Sequence, residues 1–127
     1  ARDRGGAAGG MITPPADVRI VLMAEPVDFR KGPDSLARLV EQHLQAHPFG
    51  GDLFVFRAKR KDRIKIVGHD GTGLWMYQKR LEAGGFVWPS RDQSTVRLTP
   101  AQLAVLLDGV DWQRVRAGRR YRPQRAA

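Results

Sequence analysis

Apolar positions in this chain follow two spacings, short runs rich in β-branched and aromatic side chains and two stretches with helical periodicity. Val18–Met23 (VRIVLM) reads as a strand on its β-branched content. Glu25–Gly32 follows as a loop, and Pro33 and Asp34 open a helix predicted to run to about Ala46. On a helical wheel Leu36, Leu39, Val40 and Leu44 form one stripe, with Arg38, Glu41, Gln42 and Gln45 opposite. His47, Pro48 and Gly50–Gly51 end it.

The middle of the chain reads as a meander. Leu53–Arg57 is a strand, Ala58–Asp62 a charged turn and Arg63–His69 the return strand. Asp70-Gly71-Thr72-Gly73 has the chemistry of a tight reversal into the next strand, Leu74–Leu81. Gly84–Gly85 turns into Phe86–Trp88, and Thr95–Leu98 extends or completes the sheet. Thr99, Pro100 and Gln102 then spell an N-cap, a first-turn proline and a capping box. The helix they start is expected to bury Leu103, Leu106, Leu107 and Val110, with Gly109 as its C-terminal cap. These elements predict an α+β fold, a small antiparallel β-meander sheet packed by two helices, with a flexible basic C-terminal tail.

Length and composition restrict the organisation. With 127 residues, 42% of them apolar, one core and one domain over residues 11–113 are expected. Residues 1–10 (ARDRGGAAGG) read as a flexible linker or expression remnant, with Met11 a plausible start. No apolar run reaches the length of a membrane span, no signal-peptide core is visible, and a cytoplasmic protein is expected. Cysteine is absent, which excludes disulfides, thiolate metal sites and a cysteine nucleophile.

Charge is segregated. The formal net charge is +9, yet residues 11–113 hold 14 basic against 12 acidic side chains. Residues 114–127 carry Arg114, Arg116, Arg119, Arg120, Arg122 and Arg125 with no acid. Guanidinium forks bind phosphate bidentately, so such a tail suits a polyanion better than mere solubility requires, and Tyr121 adds a stacking group. Within the body, Arg57, Lys59, Arg60, Lys61, Arg63 and Lys65 crowd one hairpin with only Asp62 among them. A β-ribbon of this kind can follow a phosphate backbone; the plainer reading is a solvated turn whose lysines guard a sheet edge.

Catalytic patterns are missing. His43 and His47 share a helix at four-residue spacing and fall in the apolar stripe, but the zincin pattern needs Glu where Leu44 stands. A partly buried, satisfied pair is expected, with no metal and no cofactor. No Asp or Glu has Lys two positions later, as one common nuclease pattern requires. Ser35, Ser90 and Ser94 lack any nucleophile-elbow motif, so no catalytic residue is expected.

Several strings together resemble a family. They are Asp28-Phe29-Arg30-Lys31-Gly32, Leu53–Arg57, Asp70–Gly73, Lys79–Glu82, Phe86–Pro89, Leu98–Leu103 and Leu107–Trp112, in order and at family spacing over about residues 11–113. The chain resembles the TnpB-type accessory proteins (second open reading frame) of bacterial insertion-sequence family sixty-six. It departs from that pattern at His69, where relatives usually carry Trp. The resemblance implies a non-catalytic partner of the element's transposase, needed for the element's movement. Asp28 is expected to make an Asx-turn or to pair with Arg30; Arg30 and Lys31 are alternatively DNA contacts. Lys79 and Arg80, adjacent on a strand, point to opposite faces, leaving one of them free for phosphate. Trp88 is expected to plug the sheet. The resulting expectation is DNA binding, tentatively at the element's terminal repeats, by the basic hairpin and the tail. Its rivals are an adaptor docking on the transposase and an RNA-binding module with Tyr121 and Trp75 as stacking groups.

Overall fold

A computed structural model of the chain describes residues 18–44 and 51–115. The short apolar runs become strands β1 (Ile20–Met23), β2 (Leu53–Arg57), β3 (Arg63–His69), β4 (Leu74–Arg80) and β5 (Thr95–Leu98). They form one sheet in the order β4-β3-β2-β1-β5. β2, β3 and β4 make the expected antiparallel meander. β1 lies parallel to β2, with Ile20 opposite Leu53 and Leu22 opposite Val55, and β5 runs antiparallel along its other side. A parallel pair needs a crossover, and helix α1 (Pro33–Leu44) lies within it.

This topology makes three layers. Side chains of β2 alternate between faces, and because both faces are covered the whole strand is buried. Phe54 and Phe56 pack with Met23 and Val67 beneath Leu36 and Val40 of α1. Leu53 and Val55 pack with Ile20, Leu22, Ile64 and Ile66 against Leu103 and Leu106 of helix α2 (Pro100–Leu107). Phe86 and Trp112 complete this second core.

Local chemistry explains the helix ends. Thr99 Oγ1 accepts from the Gln102 amide at 3.1 Å and the Thr99 amide donates to Gln102 Oε1 at 2.8 Å. The C-terminus closes as a Schellman motif, with Gly109 at φ 77° and the Val110 amide reaching Val105 O at 3.2 Å. That reversal turns Val110 away from the expected core position, leaving it 55% exposed, and Trp112 fills the core instead. His43 also departs from expectation. Glu41, Gln42 and His43 are all exposed, and His43 Nδ1 lies 3.2 Å from Leu39 O. Gln45, Ala46, His47 and Pro48 lie outside the described residues.

Three loops meet at one end of the sheet, where the parallel strands β1 and β2 finish. The Val27 amide donates to Arg57 O at 2.9 Å, tying the β1–α1 loop to the hairpin. Leu81 N–H and Phe86 N–H donate to Asp62 O and Lys61 O, both at 2.8 Å, tying in the segment after β4. Trp88 plugs the sheet as expected, its Nε1–H donating to Met23 O at 3.0 Å. None of the described helices is long and apolar enough to cross a membrane.

Candidate nucleic-acid interface

Alternation along each strand sorts the basic side chains into inward and outward sets. Arg57 falls on the α2 face of β2 and is 9% exposed. Its Nη1 donates to Ala58 O at 3.2 Å and Lys59 O at 3.3 Å, and its guanidinium lies 5.8 Å from the Trp88 ring centroid. Burial, with a smaller push from Arg91, lowers its pKa. Lys65, on the α1 face of β3, is 4% exposed. Its ammonium donates to Phe29 O at 2.5 Å and Lys31 O at 2.8 Å, pinning the β1–α1 loop, and stands 4.3 Å from the Phe29 ring centroid. Lys79 Nζ donates to Leu107 O at 2.7 Å, at the electronegative end of α2. All three charges are bonded to backbone carbonyls within the fold.

The outward set is compact. Lys59, Arg60 and Lys61 are exposed at the hairpin turn. Arg63 and Arg80 face each other across the β3–β4 ladder. Asp62 is near Arg60 and Arg63, at 3.9 and 3.6 Å, while Lys59, Lys61 and Arg80 make no ion pair among the described residues. On the neighbouring loop Asp28 holds Arg30 in two ways. Its Oδ1 accepts from the Arg30 amide at 3.0 Å and its carboxylate from the Arg30 Nη2 at 2.8 Å. These bonds from Arg30 hold the Asp28 carboxyl well below the usual carboxylate range and raise Arg30 in return. Both expected roles of Asp28, the Asx-turn and the ion pair, therefore coexist. Arg30 remains exposed and Lys31 half-exposed.

Between the hairpin turn and this loop lies a cleft of about 440 Å³. Pro26, Val27, Phe29 and Ala58 give it apolar walls, and Asp28, Lys59, Arg60 and Arg63 give it charge. Sequence reasoning did not single out Phe29 as a site residue; its signal is an aromatic placed directly before Arg30 and Lys31.

Other candidates take different places. Arg114 pairs with Asp111 at 3.5 Å. Arg116, Arg119, Arg120, Arg122, Arg125 and Tyr121 lie outside the described residues. Trp75 is half-buried against the α2-side core. Asp70 Oδ1 accepts from the Thr72 amide, the Thr72 hydroxyl and the Gly73 amide, each at 3.0 Å, which lowers its pKa. That carboxylate is occupied in shaping the β3–β4 turn. Among the described residues no three His, Cys, Asp or Glu side chains gather where a metal could bind.

The uncharacterized protein y4jC of Sinorhizobium fredii (strain NBRC 101917 / NGR234) is 40% identical over 117 residues, covering 92% of this chain and 100% of that protein. The uncharacterized protein y4hO of the same organism is 40% identical over 97 residues, covering 76% of this chain and 84% of that one. No solved structure matches the chain. The family model described as IS66 Orf2 like protein matches residues 18–117, a span that takes in every element of the fold. The chain belongs to the IS66 Orf2-like family, a family of transposition-associated accessory proteins.

Proposed function

We propose that this protein assists movement of an insertion sequence as a non-enzymatic DNA-binding accessory, holding the phosphate backbone with the hairpin end of its sheet. The observation that carries this reading is the Arg63–Arg80 pair, two like charges directly opposite in the ladder. Such a pair costs stability, and a phosphate between the two guanidinium groups offsets that cost. Lys59, Arg60 and Lys61 extend the same positive surface, and Arg30 and Lys31 flank it. Arg114 and the arginines of residues 116–127 add a contact without sequence preference.

Trp88 and Trp112 are engaged within the fold, each donating its indole N–H to a backbone carbonyl. Recognition through the described basic end is therefore of phosphate and shape rather than base edges. Salt-dependent mobility shift on terminal-repeat duplex DNA tests the proposal. Affinity is expected to fall with rising salt, and an Arg60→Ala/Arg80→Ala protein is expected to show a log–log slope shallower by about two. A slope unchanged by that double substitution would place the contact elsewhere. Absence of DNA binding together with capture of the transposase would support the adaptor reading instead.

A further inference from the structure

A duplex backbone needs only the cationic rim of the hairpin end. The cleft beside that rim has a different composition, with Pro26, Val27, Phe29 and Ala58 forming apolar walls beneath Lys59, Arg60 and Arg63. Phosphate alone makes no use of such walls; a base with its own phosphate uses both. The cleft volume of about 440 Å³ lies within the ~300–1,000 Å³ typical of small-molecule sites. Phe29 is held in place from two sides. The Lys65 ammonium takes its carbonyl and stands against its ring, and the Val27 amide fixes the loop to Arg57 O. Asp28, the one carboxylate lining the cleft among the described residues, is already paired with Arg30, so it does not cancel the rim. Asp62 is shared between Arg60 and Arg63 and leaves the cluster positive.

We propose that this cleft is a nucleotide site, taking one unpaired nucleotide with its base against Phe29 and its phosphate on Arg60, Arg63 and Lys59. The inference rests on the nucleic-acid reading above and adds a preference for single-stranded or frayed DNA over intact duplex. Aromatic stacking beside guanidinium groups is the physical basis of single-strand binding elsewhere. In a duplex the bases are stacked on each other and none can enter the cleft.

The test uses the full chain, with fluorescence anisotropy on labelled oligodeoxythymidylate and on a duplex of equal length. The single strand is expected to bind more tightly, and Phe29→Leu is expected to weaken it about tenfold while leaving duplex affinity within a factor of about two. Thermal melts of the variant establish that it is folded. Independently of any variant, titrating the wild-type chain with thymidine 5′-monophosphate is expected to shift the amide resonances of Val27, Phe29, Ala58 and Arg63. Equal binding of both DNA forms, unchanged by Phe29→Leu, would overturn the nucleotide site and leave the duplex reading standing. Binding of neither form would overturn both. Cleft resonances that move with an acidic peptide but not with the nucleotide would assign the cleft to a protein partner and overturn the proposal.

Discussion

Arg63 and Arg80 sit directly opposite each other in the β3–β4 ladder, on the face that carries α1, and of the two only Arg63 pairs with a carboxylate among the described residues. Like charges in that register repel, at a cost of about 0.2–1 kcal/mol. Replacing Arg80 by Gln is therefore expected to leave stability unchanged or slightly raised. The same change is expected to weaken DNA binding, reducing the salt slope by about one. Denaturant unfolding and anisotropy on the same preparation check both halves.

Its sequence neighbour behaves in the opposite sense. Lys79 bonds Leu107 O at the last turn of α2, so Lys79→Met removes a charge-assisted bond to the helix end. A loss of about 1–2 kcal/mol is expected, with DNA affinity unchanged. Side by side, the two variants separate a structural cation from a binding one by urea midpoint and binding constant.

Lys65 links the sheet to the β1–α1 loop through two carbonyls. Lys65→Met keeps much of the buried stem but strands both acceptors, and about 2 kcal/mol of stability is expected to go. Because this loop carries Arg30 and Phe29, hydrogen exchange is expected to accelerate at residues 27–32 ahead of the rest of the domain.

Acid is expected to loosen two turns. Bonds donated by Arg30 lower the Asp28 pKa, and bonds from Thr72 and Gly73 lower that of Asp70, each from an ordinary 3.8. A carboxylate with a depressed folded-state pKa adds stability that is fully present above its unfolded value. That stability disappears as pH falls through the folded value, so the fall begins near pH 4. Melting temperature followed by circular dichroism from neutral pH downward should show this decline, and Asp70→Asn should flatten it.

Gly68 faces Trp75 across the ladder, and an added Cβ would overlap the indole and come within 2.8 Å of Leu53 Cδ2. Gly68→Ala is expected to cost about 1–3 kcal/mol through overpacking. Trimming the tryptophan in a Gly68→Ala/Trp75→Leu double variant should recover part of the loss, measured by urea unfolding.

The amino-acid sequence by itself determined every element whose cause is local. The β-branched runs made the strands, Thr99, Pro100 and Gln102 made the start of α2, and Asp70–Gly73 made its reversal from side-chain bonds within four residues. The stripe of Leu36 and Val40 named the face of α1 that would be buried. Tertiary structure decided what depends on contacts between distant segments. Nothing local states that β1 pairs parallel to β2, because parallel pairing is set by where a crossover lands and not by either strand's own residues. The same holds for the cations. Along the sequence the six basic residues of Arg57–Lys65 look alike as charges, and Lys79 and Arg80 revealed only that they must diverge. Which of them bond within the fold was decided by distant segments: Phe29 O and Lys31 O accept from Lys65, Leu107 O accepts from Lys79, and the Trp88 ring lies beside Arg57, whose own acceptors are the local Ala58 O and Lys59 O. A side chain's charge is written in the sequence, but its availability depends on the carbonyls and rings that folding brings to it.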